Sequence, residues 1–171
     1  MRRGEFRARV SLALIALMPL LAPRGLADEA RGVTVERAAR AAELARSGVF
    51  AGAIPLWRAL ADGYEKAGQL SDRAAALLHL ADAQQALGRH ADSLAPLAEA
   101  SSALGPQASA AELAAIQGSL ASAYLALGPP ARARDELAQA LALARSAEAP
   151  ALIARLLNNR GNLASAAGAR D

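Results

Sequence analysis

The stretch ADAQQALGRHADSLAPLAEA, residues 81–100, reads as two apolar-periodic runs hinged at Gly88. Ala81 stands before the glycine and Ser93 after it, both small. Leu97 follows as a large apolar residue and Ala100 as another small one. Stepping outward by 40 residues meets the same residue types again. The hinge recurs as Gly48, Gly88, Gly128 and Gly168. The small residue before it recurs as Ala41, Ala81, Ala121 and Gly161, and the small one after it as Ala53, Ser93 and Ala133. Trp57, Leu97 and Leu137 are all large and apolar, and Leu60, Ala100 and Ala140 complete the set. Agreement at several offsets in phase separates a true repeat from chance matches in an alanine-rich chain.

The repeat has a direct physical reading as an antiparallel helix hairpin. Two helices approach closely only where their facing side chains are small. Ala81 and Ser93 would face each other across one pair, with Leu97 filling the gap to the next. Glycine ends the first helix because it accepts the left-handed backbone that a helix C-terminus often adopts. One hairpin cannot bury its apolar face alone, so neighbouring hairpins stack and share a core.

This pattern resembles the tetratricopeptide repeat, TPR. The resemblance rests on Ala81, Gly88, Ser93, Leu97 and Ala100, and on Ala121, Tyr124, Gly128, Ala133, Leu137 and Ala140. Tyr124 falls on the family's aromatic position, and residues 156–164 look like the first helix of a further repeat. The likeness covers roughly residues 34–171. It implies an all-α fold, an α-solenoid of about three and a half antiparallel hairpins. The repeats would be about 34–73, 74–113 and 114–153, with a partial one at 154–171.

Several features depart from the family. The common TPR period is about 34 residues, whereas this one is 40, similar to the long repeats of bacterial TPR proteins that precede a caspase-like CHAT domain. Pro55 and Pro96 fall inside the second helices, where proline removes a hydrogen bond and is expected to delay or bend the helix start. Repeat one has Arg37 and Arg40 where repeat two has Leu77 and Leu80, as an atypical capping repeat would.

Composition agrees with an all-α chain. Alanine, the best helix former, is the most abundant residue, and the aromatic residues that favour strands are scarce. The formal charge of +3 comes from the N-terminus, where Arg2, Arg3, Arg7, Arg9 and Arg24 face one acid, Glu5. The remainder holds 14 basic and 15 acidic residues, so it lacks the basic footprint of a nucleic-acid binder.

Residues 1–27 read as an export signal. Arginines lead into the apolar run Val10–Ala22, and Gly25 and Ala27 supply the small residues of a cleavage site before Asp28. The run is 13 residues long, short for a membrane span. Export to the periplasm or the exterior is expected, with an uncleaved membrane anchor as the alternative. The repeat domain then occupies residues 28–171. There is no cysteine, which is compatible with an oxidising compartment.

Along that domain, helices are expected from Thr34 to Ser47, Phe50 to about Lys66, Ser71 to Leu87 and Ala91 to about Ala103. Breaks at Leu104-Gly105-Pro106 and Ala149-Pro150 flank the third hairpin, and a last helix runs from Ala151 to Ala167. Ser109 and Glu112 have the spacing of a capping box. The last helix has no partner in the sequence. Either the array continues beyond it, or Arg155, Asn158, Asn159, Asn162 and Ser165 make it a polar cap.

Catalytic candidates are few. His79 and His90 are the only histidines, with no cysteine and no repeated carboxylate pair beside them, so neither a metal nor a cofactor is expected. The TPR resemblance implies groove-facing positions at Ala75, Leu78, Asp82 and Gln85, then Ala115, Gly118, Ser122 and Leu125, then Arg155, Asn158, Asn162 and Ser165. The polar members, Asp82, Gln85, Ser122, Arg155, Asn158, Asn162 and Ser165, are the candidate partner-binding residues. Asparagine both donates to and accepts from a peptide backbone. The Lys/Asn set that clamps a C-terminal carboxylate is missing, and Trp57, Tyr64 and Tyr124 read as packing residues. The expected function is a non-catalytic scaffold that grips a protein or peptide partner in a concave groove. The alternatives are the recognition arm of a larger CHAT-type peptidase, or a self-assembly module acting through its last helix.

Overall fold

The computed structural model of the chain describes residues 24–128 and 130–168, and their side chains within 32–165 apart from Gln107. Among the described residues it is all-helical, with seven α-helices and no strand. They are α1 (Arg24–Arg46), α2 (Phe50–Lys66), α3 (Leu70–Ala86), α4 (His90–Leu104), α5 (Ala110–Leu127), α6 (Pro130–Ser146) and α7 (Pro150–Gly168), with a 3-10 turn at Gly105–Gln107. The chain divides into two compact units at Val35. The described part of the first is the opening of α1, and everything below concerns the second, Glu36–Asp171.

Helix positions follow the expectation closely except at the start. The helix expected from Thr34 begins at Arg24, because residues 24–33 are mostly good helix formers. Residues 24–27 of the export-signal reading thus lie in the first turn of α1, and its other residues lie outside the described ones. The prolines do not delay α2 or α4, which begin upstream of Pro55 and Pro96. A proline this near an N-terminus removes one bond next to a turn whose N–H groups lack intrahelical acceptors anyway.

The turns show why the period is punctuated as it is. At the end of α3, Gly88 takes φ 74°. Its N–H bonds to the Gln85 carbonyl at 2.8 Å, and the Arg89 N–H reaches back to Gln84 at 2.9 Å. This paired arrangement satisfies carbonyls that the helix leaves free. The same pair of bonds closes α1, α2 and α6. At the end of α6 the left-handed place falls to Glu148, at φ 49°, the one non-glycine residue with positive φ among those described. The capping box of α5 is present, with Glu112 N–H donating to Ser109 Oγ and Ser109 N–H donating to the Glu112 carboxylate.

Each helix from α2 to α6 packs on the next in sequence, and α3 packs on α5 as α5 does on α7. The repeated positions are the core. Ala41, Ala53, Trp57, Leu60, Leu77, Leu80, Ala81, Leu97, Ala100 and Ile116 form one buried cluster, and Ala121, Ala133, Leu137, Ala140, Leu156 and Leu163 belong to a second. Trp57 is therefore a packing residue, its ring stacked on His79 at 4.6 Å between centroids. Gly161, the counterpart of buried Ala81 and Ala121, is exposed, because no described helix lies across that part of α7. Helix α5 has a stretch apolar enough by composition to cross a membrane, with mean hydropathy 1.2. It is also the helix packed against α3, α4, α6 and α7, and a helix surrounded by others is apolar on most sides.

Candidate functional site

The first helices of successive periods, α3, α5 and α7, carry a line of contacts between residues 37 or 38 positions apart. At the α3–α5 joint the line is polar. Ser119 Oγ donates to Asp82 Oδ1 at 2.8 Å. Gln85 Nε2 donates to Ser119 Oγ at 3.0 Å and lies 3.1 Å from the Ser119 carbonyl. The same amide approaches Ser93 Oγ on α4 at 3.2 Å, and Ser93 Oγ donates to the His90 carbonyl. One glutamine therefore ties three helices together. Buried polar atoms need such partners, and both Ser93 and Ser119 are buried.

At the α5–α7 joint the line is half polar and half steric. Asn159 Nδ2 donates to Ser122 Oγ at 2.8 Å, and Ser122 Oγ donates to the Gly118 carbonyl. One turn away, Leu156 fills the space beside Gly118. A Cβ on that glycine would lie 2.5 Å from Leu156 Cδ2, inside any normal contact. Gly118 is required there by close approach.

The candidate residues thus fall into two groups. Asp82, Gln85 and Ser122 have their polar atoms engaged by the neighbouring first helix. Arg155, Asn158, Asn162 and Ser165 are exposed on α7 and make no side-chain bond among the described residues. Their spacing puts them on one face of that helix. Sequence reasoning did not single out Ser119 as a site residue, nor Asn159 as the partner of Ser122. The available signal was a polar residue 37 positions after Asp82 and again after Ser122.

The groove-line positions that carry no polar group do something else. Ala75, Leu78 and Ala115 line a cavity of about 240 Å³ between α3 and α5, closed behind by Leu104 and Ile116. Its wall is almost wholly apolar, and Ser71 and Glu112 stand at its edge. The cavity exists because alanine at 74, 75, 111 and 115 cannot fill the gap between the helices. Hydrogen bonds from the Ser109 side chain and backbone, with a further contribution from Ser71, hold the Glu112 carboxyl below the usual carboxylate range. The edge therefore carries a negative charge at neutral pH.

Of the histidines, His79 is exposed beside Trp57, and His90 begins α4. Compared with known proteins, the chain matches no family model, and neither a curated protein nor a solved structure is significantly similar to it.

Proposed function

We propose that this chain is a non-catalytic TPR-like scaffold, an α-solenoid of helix hairpins that binds a segment of another protein along its first helices. One observation carries the reading: an apolar cavity of about 240 Å³ between α3 and α5, lined by the groove-line residues Ala75, Leu78 and Ala115. Pockets that take one side chain of a partner are concave and mostly apolar, with a few polar groups for orientation. Here Ser71 and Glu112 supply those groups. The Gln85–Ser119–Asp82 network holds the two walls in register, so the cavity is preformed and its occupant loses less entropy on binding. The N-terminal arginines and apolar run support action outside the cytoplasm.

The test is selection of random peptides displayed on phage against the full chain and against Ala115→Leu. The expected result is enrichment of sequences sharing one large apolar residue, lost when leucine fills the cavity. Equal enrichment on both proteins would remove the cavity from the binding site. The exposed α7 residues favour a second reading, self-association through the last helix, which light scattering at rising concentration decides.

A further inference from the structure

A second groove, made of other residues, runs between α6 and α7. Its floor is Leu137, Leu141 and Leu163, and Arg134, Arg145 and Arg160 line its sides. Its volume is about 240 Å³. All three arginines are exposed, and none belongs to an ion pair among the described residues. The acids adjacent to Arg134, Asp135 and Glu136, do not line the groove.

The fold itself contains a filled version of this groove. Two periods earlier, the space between α2 and α3 is covered by α4, whose Leu97 and Ala100 share one core with Trp57, Leu60 and Leu77. There the charge pairing is explicit: Arg58 of α2 bonds Glu99 of α4 at 3.0 Å. A helix with an apolar face and a glutamate over an arginine is therefore what this kind of groove accepts. The α6–α7 groove offers the same floor with three arginines in place of one.

We infer that the α6–α7 groove is a docking site for an acidic amphipathic helix of a separate polypeptide. Its apolar side chains lie on Leu137, Leu141 and Leu163, and its carboxylates meet Arg134, Arg145 and Arg160. Charge complementarity of this type sets partner choice and register. A second copy of this chain is a poor source of such a helix. Glu43, Glu65, Asp92 and Glu99 are engaged in ion pairs within the chain, and Glu112 is held by Ser109.

The experiment is fluorescence anisotropy on the full chain with a labelled synthetic helix of about 18 residues, leucines on one face flanked by glutamates. A matching peptide with lysine at every glutamate position is the control. Saturable binding of the glutamate peptide is expected, weakening with added salt. Replacing Arg134, Arg145 and Arg160 together by alanine should weaken it about tenfold, since each exposed pair contributes a severalfold factor at most. The lysine peptide should not bind. Equal binding of the two peptides, or equal binding by the triple variant, overturns the inference. So does failure of the glutamate peptide to bind, or a dimer of the chain that the triple variant abolishes. If the triple variant loses helix content, Ala138→Trp obstructs the groove from an exposed position and must abolish binding in its place. Ala115→Leu must leave this binding unchanged, which separates the result from the fate of the α3–α5 cavity.

Discussion

The α3–α5 and α5–α7 joints occupy the same place in the repeat and are held by different physics. In the first, Leu78 faces Ile116, the helices stay apart, and a cavity of about 240 Å³ remains between them. Gln85, Ser119 and Asp82 hold that spacing with hydrogen bonds. In the second, Gly118 stands where Leu78 stood and Leu156 where Ile116 stood, and the leucine enters the space that glycine leaves. A single large-to-small exchange turns an open joint into a closed one. The cavity is thus a property of one joint, created by the residues that fail to fill it.

The largest expected effect breaks the closed joint. Leu156 is fully buried against Gly118, so Leu156→Ala should cost about 4 kcal/mol, while Ile116→Ala, beside an existing cavity, should cost about 2 kcal/mol. Urea denaturation of the two variants gives both numbers, and equal costs would mean that the joints are packed alike. Gly118→Ala should destabilise the wild-type chain and stabilise the Leu156→Ala background, a coupling read from a double-mutant cycle.

A middle-sized effect probes the polar joint. Ser119→Ala removes the donor to Asp82 and an acceptor of Gln85, leaving both without that partner at a part-buried site. A loss of about 1–2 kcal/mol is expected in thermal unfolding. Asn159→Ala, whose acceptor Ser122 keeps its bond to the Gly118 carbonyl, should lose less. The reverse order would assign the stronger polar tie to the closed joint.

The smallest effect is pH-dependent. The Glu112 carboxyl is held below its ordinary range by Ser109, so its stabilisation is fully present above the unfolded value near 4.5 and lost as pH falls through the lower folded value. Glu112→Gln should therefore melt below the wild type at pH 7 and converge with it near pH 3. A difference that persists on acidification would show that the charge of Glu112 does not support the α5 N-terminus.

Much of the fold is legible in the order of residues. The 40-residue phase places the buried positions Ala81, Ser93, Leu97 and Ala100 correctly, because small residues at facing positions are a local requirement of close helix pairing. Ser109 and Glu112 announce the start of α5, since a capping box is satisfied within four residues. The groove assignment is only partly legible. Asp82, Gln85 and Ser122 have the residue types of ligand contacts, yet their polar atoms meet Ser119 and Asn159 a full period away.

What the sequence alone determined is therefore what depends on neighbours within a helix or a hairpin: the element order, the turns at Gly48, Gly88 and Gly128, and the identity of the buried face. The tertiary structure alone decided how one first helix meets the next. It decided that Gly118 admits Leu156, that Leu78 and Ile116 leave a cavity, and that Arg134, Arg145 and Arg160 line one groove. The reason is range. Helix formation and capping are settled over a few residues, whereas a cavity is the difference between two surfaces 40 residues apart, set by the volume of single side chains.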